Sequence, residues 1–286
     1  MKLRVRHRTT YEYAEPVTLA AHLLHLRPRA LPFQLVRAFA SRAGPEPARE
    51  RHGTDYFGNP VAWLFHQEPH SRFEIATEAC VELFAAEPPA SSLPWEEVAA
   101  AARCPAGWRA SEFAYPSPFV PASAVARKFA QPSFPPGRPI HEAVLCLAHR
   151  IAAEFAYRPG ATTLATPLAR VLAQRAGVCQ DFAHAMIAGL RGLGLPARYV
   201  SGYVRTRPPP GQERLRGADQ SHAWVGVWLG GEEWLDLDPT NGVVAGHGHV
   251  TLGWGRDYGD VSPTRGVLLG GGAHRLTVAV DMEPEG

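Results

Sequence analysis

Between Gly177 and Pro239 the hydrophobic period changes from helical to alternating, and the chain then doubles back at Gly230-Gly231. Phe182, Met186, Leu190 and Leu193 recur at the spacing of one helix face, which predicts a helix from about 180 to 193 with a single buried stripe. Gly194-Leu195-Pro196 stops it. Strand-like patterns follow over 197–205, 222–229 and 234–238, with a Pro- and Gly-rich loop (Pro208, Pro209, Pro210, Gly211) inside the series. Pro239 ends the last strand. One helix followed by an antiparallel sheet predicts an α+β core.

Three regions are expected along the chain. Residues 1–85 read as a β-rich domain: Leu3, Val5, His7, Thr9, Tyr11 and Tyr13 alternate with polar neighbours, as do Phe73, Ile75, Thr77, Ala79, Val81 and Leu83. Residues 86–139 are thick with proline and predict a connector with short helices near 95–102 and 122–130. Residues 140–286 form the core, opened by a helix carrying Val144, Leu147, Ala148 and Ile151 on one face.

Charge and cysteine usage exclude several classes. A net charge of +2 is too small to imply nucleic acid. Lys2, Arg4, Arg6 and Arg8 alternate with Leu3, Val5 and His7, which is how the solvent face of a strand reads. Cys80, Cys104, Cys146 and Cys179 form no CxxC pair, so zinc-ribbon and thioredoxin-type readings fail. His247-Gly248-His249 has no acidic or thiol ligand at zinc spacing and reads as a polar loop, and no calcium-loop spacing exists. No metal or other cofactor is expected. The first residues carry no secretory signal, and no apolar run reaches 18 residues, so neither export nor a membrane is expected and a reducing cytoplasm is.

Within that frame one thiol stands out. Cys179 follows Gly177-Val178 at the start of the predicted helix. There it faces free backbone N–H groups and the positive end of the helix dipole, both of which favour thiolate and can serve an oxyanion. The bland alternative is a small buried residue. His222 opens the strand before Gly230, and Asp238 closes the strand after it, at equal distances from that glycine. An antiparallel hairpin therefore sets them within a residue or two of direct opposition, where a carboxylate can orient an imidazole toward the thiol. Asp236, on the same face and nearer the turn, is the rival for that role. Trp224 shares the face of His222 and is a candidate wall of the cleft. His184 and the remaining histidines have no partner at motif spacing and read as structural.

These blocks together resemble a family. Gly177-Val178-Cys179-Gln180-Asp181-Phe182-Ala183-His184, Ala197-Arg198-Tyr199-Val200-Ser201-Gly202-Tyr203, Ser221-His222-Ala223-Trp224 and Leu237-Asp238-Pro239-Thr240-Asn241 are similar to the core of bacterial transglutaminase-like proteins, often described as candidate cysteine proteases. Arg4-Val5-Arg6-His7 through Tyr13, with Leu24 to Arg29, resembles the β-rich N-terminal domain that accompanies that core, and Gly255 to Pro263 is also similar. The resemblance implies a papain-like fold, a helix bearing Cys179 packed on an antiparallel sheet, and a triad of Cys179, His222 and Asp238, choosing Asp238 over Asp236. It implies acyl transfer on peptide or protein amides through a thioester without fixing the acceptor; hydrolysis is favoured over transamidation because nothing in the sequence marks a second, amine-binding site. The competing class is a non-catalytic peptide-binding module on the same fold. Asp257 and Tyr258, in the polar loop after the core strands, are placed at the cleft rim with Trp224 as substrate-binding residues. One departure is Gly226, where relatives commonly carry an acid.

Overall fold

The computed structural model describes residues 1–206, 220–246 and 248–285. The Pro208–Pro210 loop and His247 lie outside them. The long alternation at the amino terminus becomes β1 (Lys2–Leu24), which buries Leu3, Val5, His7 and Thr9 on one face. Its other face carries Arg4, Arg6 and Arg8 against Glu74, Glu78, Glu283 and Glu285 in exposed ion pairs. Such pairs contribute little and confirm the solvent-face reading. Around β1 lie β2 (Gln34–Gly44), β3 (Arg49–Thr54), β4 (Pro60–His66) and β5 (His70–Leu83), in the order β2-β5-β1-β4-β3.

The next stretch holds α1 (Trp95–Ala101), α2 (Trp108–Ser111) and α3 (Ala124–Ala130). It is more than a connector. Val98, Ala99, Ala110, Val120, Ala126, Ala130 and Phe134 belong to the same hydrophobic cluster as α4 (Ile140–Glu154), α5 (Leu168–Gln174) and α6 (Cys179–Gly192). The two-residue strands β6 (Ala156–Tyr157) and β7 (Ala176–Gly177) pair in parallel just before α6. The five-stranded antiparallel sheet runs β11-β10-β9-β8-β12, from β8 (Ala197–Val204), β9 (Gln220–Gly230), β10 (Glu233–Asp238), β11 (Val243–Val244) and β12 (His249–Gly255). The short α7 (Tyr258–Val261) follows.

Two expectations need correction. The region 140–286 is not a self-contained core: β13 (Thr264–Gly270) and β14 (His274–Pro284) return to the first sheet and pair with β1. The β1 edge left open by β5 is what they close, so strands distant in sequence complete one seven-stranded sheet. Helix α6 is buried all round rather than along one stripe, from Asp181 through Arg191. Its sheet-facing side packs on Ala197, Tyr199, Ala223 and Val225, and small residues on the other side admit α3. A side chain at Gly189 would meet the Ala130 Cβ at 2.9 Å. The two sheets share a second core in which Leu3, Val5, Val81 and Met282 meet Tyr203, Val250 and Leu252.

One buried cation fastens these layers. The Arg191 guanidinium donates to the carbonyls of Phe113 (2.8 Å), Ala197 (2.9 Å) and Arg256 (2.6 Å) and to Ser117 Oγ (3.0 Å). Arg191→Ala removes every donor and strands these acceptors, so the unfolding free energy should fall by about 3 kcal/mol. Arg191→Lys should recover only part, because an ammonium lacks the planar fork that spans four acceptors. Urea denaturation followed by tryptophan fluorescence measures both.

Candidate active site

Cys179 is the first residue of α6, half-buried, and its position is set by a local lock. Asp181 Oδ2 accepts from the Val178 backbone N–H (2.8 Å) and the Thr162 hydroxyl (2.6 Å), closing the turn before the helix. That approach requires glycine at 177, where a Cβ would lie 2.4 Å from the same oxygen. The first-turn amides beside the sulfur have no carbonyl partners within the helix, which leaves them available as donors.

His222 comes to Cys179 from β9. Its Nε2 donates to Asp238 Oδ2 at 2.7 Å, leaving Nδ1 to the sulfur. The hairpin register differs from simple reflection about Gly230. An irregularity between Glu233 and Trp234 shifts the ladder, so that Asp236 pairs with Gly226 and Leu237 with Val225. Asp238 thus sits diagonally from His222 rather than opposite it, and the two side chains span the offset. Asp236 is engaged elsewhere: it accepts from Trp224 Nε1 (3.3 Å) and faces Arg198 (3.5 Å). The geometry therefore brings Asp238 to the imidazole and keeps Asp236 away.

Asp238 is fully buried, a costly place for a carboxylate unless its lone pairs are filled. They are. Oδ1 accepts from the backbone N–H groups of Thr240 (2.9 Å) and Asn241 (3.2 Å), and Oδ2 from His222, the Asn241 amide (2.6 Å) and His249 Nε2 (3.1 Å). Burial pushes the carboxyl up, but the hydrogen bonds from His222 and His249, the His222 charge and Asn241 overcome it and hold the group far below the usual carboxylate range. Burial likewise pulls His222 down, while hydrogen bonds to Asp238 and Cys179 and their charges raise it to about 9.

Asn241 and His249 were missed in the sequence. Asn241 could have been found, since Asp-Pro-Thr-Asn is a side-chain-capped turn. His249 had no local signal, and its reading as part of a polar loop is corrected: β12 carries it to the Asp238 carboxylate. The ligand atoms of His222, Asp238 and His249 lie within 4.8 Å of one another, close enough to invite a metal. The Gly246 N–H donates to His249 Nδ1, which leaves the ring proton on Nε2, aimed at Asp238. A cation there would have to displace two N–H protons from an oxygen already saturated, so the cluster is a hydrogen-bond network.

Of the three rim candidates, the fold brings one to the cleft. Tyr258 lines it with Cys179 and His222, its backbone N–H donating to His184 Nε2 at 3.2 Å. Burial pulls His184 down to about 4, so it serves as that neutral acceptor, as its structural reading expected. Asp257 is buried and capped off, accepting from the N–H groups of Phe119 (2.9 Å) and Gly259 (2.8 Å). Trp224 is fully buried behind His222, where absence of a side chain at Gly202 makes room for its ring. It belongs to a different cavity of about 420 Å³, on the Arg198 and Asp236 side of the sheet. Gly226 lies on that side too. A Cβ there would come within 2.6 Å of Arg198 Nε and 2.8 Å of Asp236 Oδ1, so Asp236 holds the space an acid at 226 would take, away from Cys179.

Comparison with known proteins agrees with this architecture. Residues 3–82 match the family described as bacterial transglutaminase-like N-terminal region, and residues 124–239 match the transglutaminase-like superfamily. An uncharacterized protein of Mycobacterium tuberculosis is 40% identical over 269 residues, covering 90% of this chain and 84% of that protein. Another, from Mycobacterium leprae, is 33% identical over 98% of both chains. A protein-glutamine gamma-glutamyltransferase of Pseudomonas aeruginosa is 33% identical over 115 residues, 37% of this chain and 17% of that protein. The crystal structure of a candidate cysteine protease from Cytophaga hutchinsonii superposes with a TM-score of 0.76 at 22% identity, covering 99% of this chain and 90% of that one.

The coupled pair makes stability depend on pH in a defined window. A raised His222 stabilises the fold fully below its unfolded value of about 6.5 and loses that contribution as pH rises through about 9. A depressed Asp238 contributes above its unfolded value of about 3.9 and loses it as pH falls below. The melting-temperature advantage of wild type over Asp238→Asn should therefore be widest near pH 5–6 and shrink steadily toward pH 9.5. A constant difference across that range would contradict the coupling.

Proposed function

Because the chain belongs to the transglutaminase-like superfamily and carries its bacterial N-terminal region, we propose that it is a thiol acyl-transfer enzyme acting on peptide or protein amides, with Cys179 as nucleophile, His222 as base and acid, and Asp238 as the group that orients the imidazole. The observation that carries this reading is the chain of contacts from the helix-terminal thiol through His222 to the buried, saturated Asp238 carboxylate.

In the first half-reaction the Cys179 thiolate attacks the amide carbonyl, and the tetrahedral oxyanion is met by first-turn N–H groups of α6. The C–N bond then breaks as the His222 imidazolium passes its proton to the departing nitrogen, leaving a thioester. In the second, His222 takes a proton from the acceptor as that acceptor attacks the thioester, and the C–S bond breaks to restore the thiolate. Water as acceptor gives the carboxylic acid, and a primary amine gives a new amide. We favour water: among the described residues lining the cleft there is no Asp or Glu to draw a protonated amine. The name of the Pseudomonas relative supports the amine route as the second reading. Four cysteines without a disulfide suit a reducing compartment, and we take the cytoplasm as its place of action.

The test is twofold. An amide-mimicking electrophile should label Cys179 in preference to Cys80, Cys104 and Cys146, as mapped by mass spectrometry, and peptide substrates should be turned over with and without added primary amine to separate the two acceptors. Asp238→Asn should keep the fold yet lower kcat by orders of magnitude, the comparable loss in a serine protease being about 10⁴. Asp236→Asn should change kcat far less, since its carboxylate serves Trp224 and Arg198. On the alkaline side kcat/KM should fall with a midpoint near pH 9, where His222 gives up its proton. Equal losses in the two Asn variants would remove Asp238 from its assigned role.

A further inference from the structure

The wall of the cleft opposite Cys179 comes from the other sheet. On β1 and β14 the register pairs Tyr11 with Leu276, Thr9 with Val278 and His7 with Val280. Two-residue alternation puts all six on one face, and all six line the cleft of about 490 Å³ that holds Cys179, His222 and Tyr258. The wall is graded. Val280, His7 and Thr9 are buried at its depth, whereas Leu276 and Val278 are 50% and 47% exposed toward its mouth. Apolar side chains left uncovered beside a reactive thiol mark a surface kept free for a ligand rather than for the protein's own core.

The chemistry of the lining narrows that ligand. A fifth of the chain is Asp, Glu, Lys or Arg, yet among the described residues lining this cleft there is none. The His7 ring is spent internally, on Thr9 Oγ1 (2.6 Å) and the Tyr203 hydroxyl (3.0 Å), and burial pulls it down to about 4, so it carries no charge. A charged substrate side chain placed here would lose water and gain no partner, while an aliphatic or aromatic one would gain contact with Leu276 and Val278.

We propose that the β-rich domain supplies the specificity wall of this cleft: Tyr11, Leu276 and Val278 seat an aliphatic or aromatic side chain of the peptide segment whose amide meets Cys179, and reject charged ones. The inference rests on Cys179 being the nucleophile for its position relative to the scissile bond. It assigns the amino-terminal sheet, completed by β14, a direct part in substrate choice.

Two measurements test it. The first is a peptide library varied at positions flanking the scissile amide, assayed with wild type and with the double variant Leu276→Thr, Val278→Thr. Threonine keeps the β-branched shape at 278 and a high strand preference at both positions, and a thermal melt controls for folding. Wild type should favour Leu or Phe over Ser or Glu at one flanking position, and the double variant should reduce that ratio of kcat/KM values by about tenfold. The second is fluorescence anisotropy of labelled Leu- and Ser-containing peptides on Cys179→Ala protein, with and without the two threonines. Here the binding difference should be present with Leu276 and Val278 and lost without them. If wild type turns over no peptide but the binding difference stands, the catalytic reading fails and the wall survives. If peptides are turned over with the same preference in wild type and the double variant, or if wild type prefers charged residues, the wall is wrong. Sedimentation of wild type as a dimer that the threonines convert to monomer would overturn it as well, by giving those side chains to a second copy of the chain.

Discussion

A carboxylate with no exposure to water is the constraint around which the site is arranged. Asp238 ends β10, where the chain must turn, and the turn itself supplies two backbone N–H donors and the Asn241 amide. The other two donors are histidines from β9 and β12. Each removes part of the cost of burying the charge, and each is in turn fixed by it. The His222 ring cannot rotate without giving up that hydrogen bond, so its second nitrogen stays on the sulfur. His249 closes the same oxygen from the other side, with its tautomer set by the Gly246 amide.

Cys179 is held with comparable rigidity by different means. Helix α6 is enclosed by the sheet on one side and by α3, α4 and α5 on the other, so its first turn has little freedom to shift. The Asp181 lock and the bare glycine at 177 fix how the chain enters it. The buried Arg191 ties the far end of the same helix to the segment around Phe113 and to the chain just before α7. Proline-rich residues that read as a connector in the sequence are thus part of what holds α6 in place.

The two sheets are joined by apolar packing and by chain crossing. Leu3, Val5, Val81 and Met282 pack on Tyr203, Val250 and Leu252, and the last two strands leave the core to complete the first sheet. This makes the β-rich domain a wall of the cleft rather than an appendage. It also means that the carboxyl-terminal strands carry both stability and surface chemistry beside Cys179.

What the sequence by itself determined is local. Periodicity placed α4, α6, the first half of β1, and β5, β8, β9 and β10, because burial of one face imposes a period that survives in the order of residues. The cysteine at a helix start and the histidine and aspartates about a glycine turn were legible for the same reason: helix termini and hairpins are short-range objects. Tertiary structure decided the rest. The irregular register after Gly230 chose Asp238 over Asp236 by a diagonal contact that reflection about the turn does not give. Trp224 was read on the correct strand, but the even face of β9 beyond His222 turns toward Arg198 and Asp236, away from the thiol. Asp257 carried the polarity of a rim residue and spends it on capping α7 and on Phe119. His249, and the pairing of β13 and β14 with a strand more than two hundred residues upstream, left no mark on neighbouring sequence. Contacts of that kind depend on which surfaces meet after the chain collapses, and no pattern within a few residues encodes them.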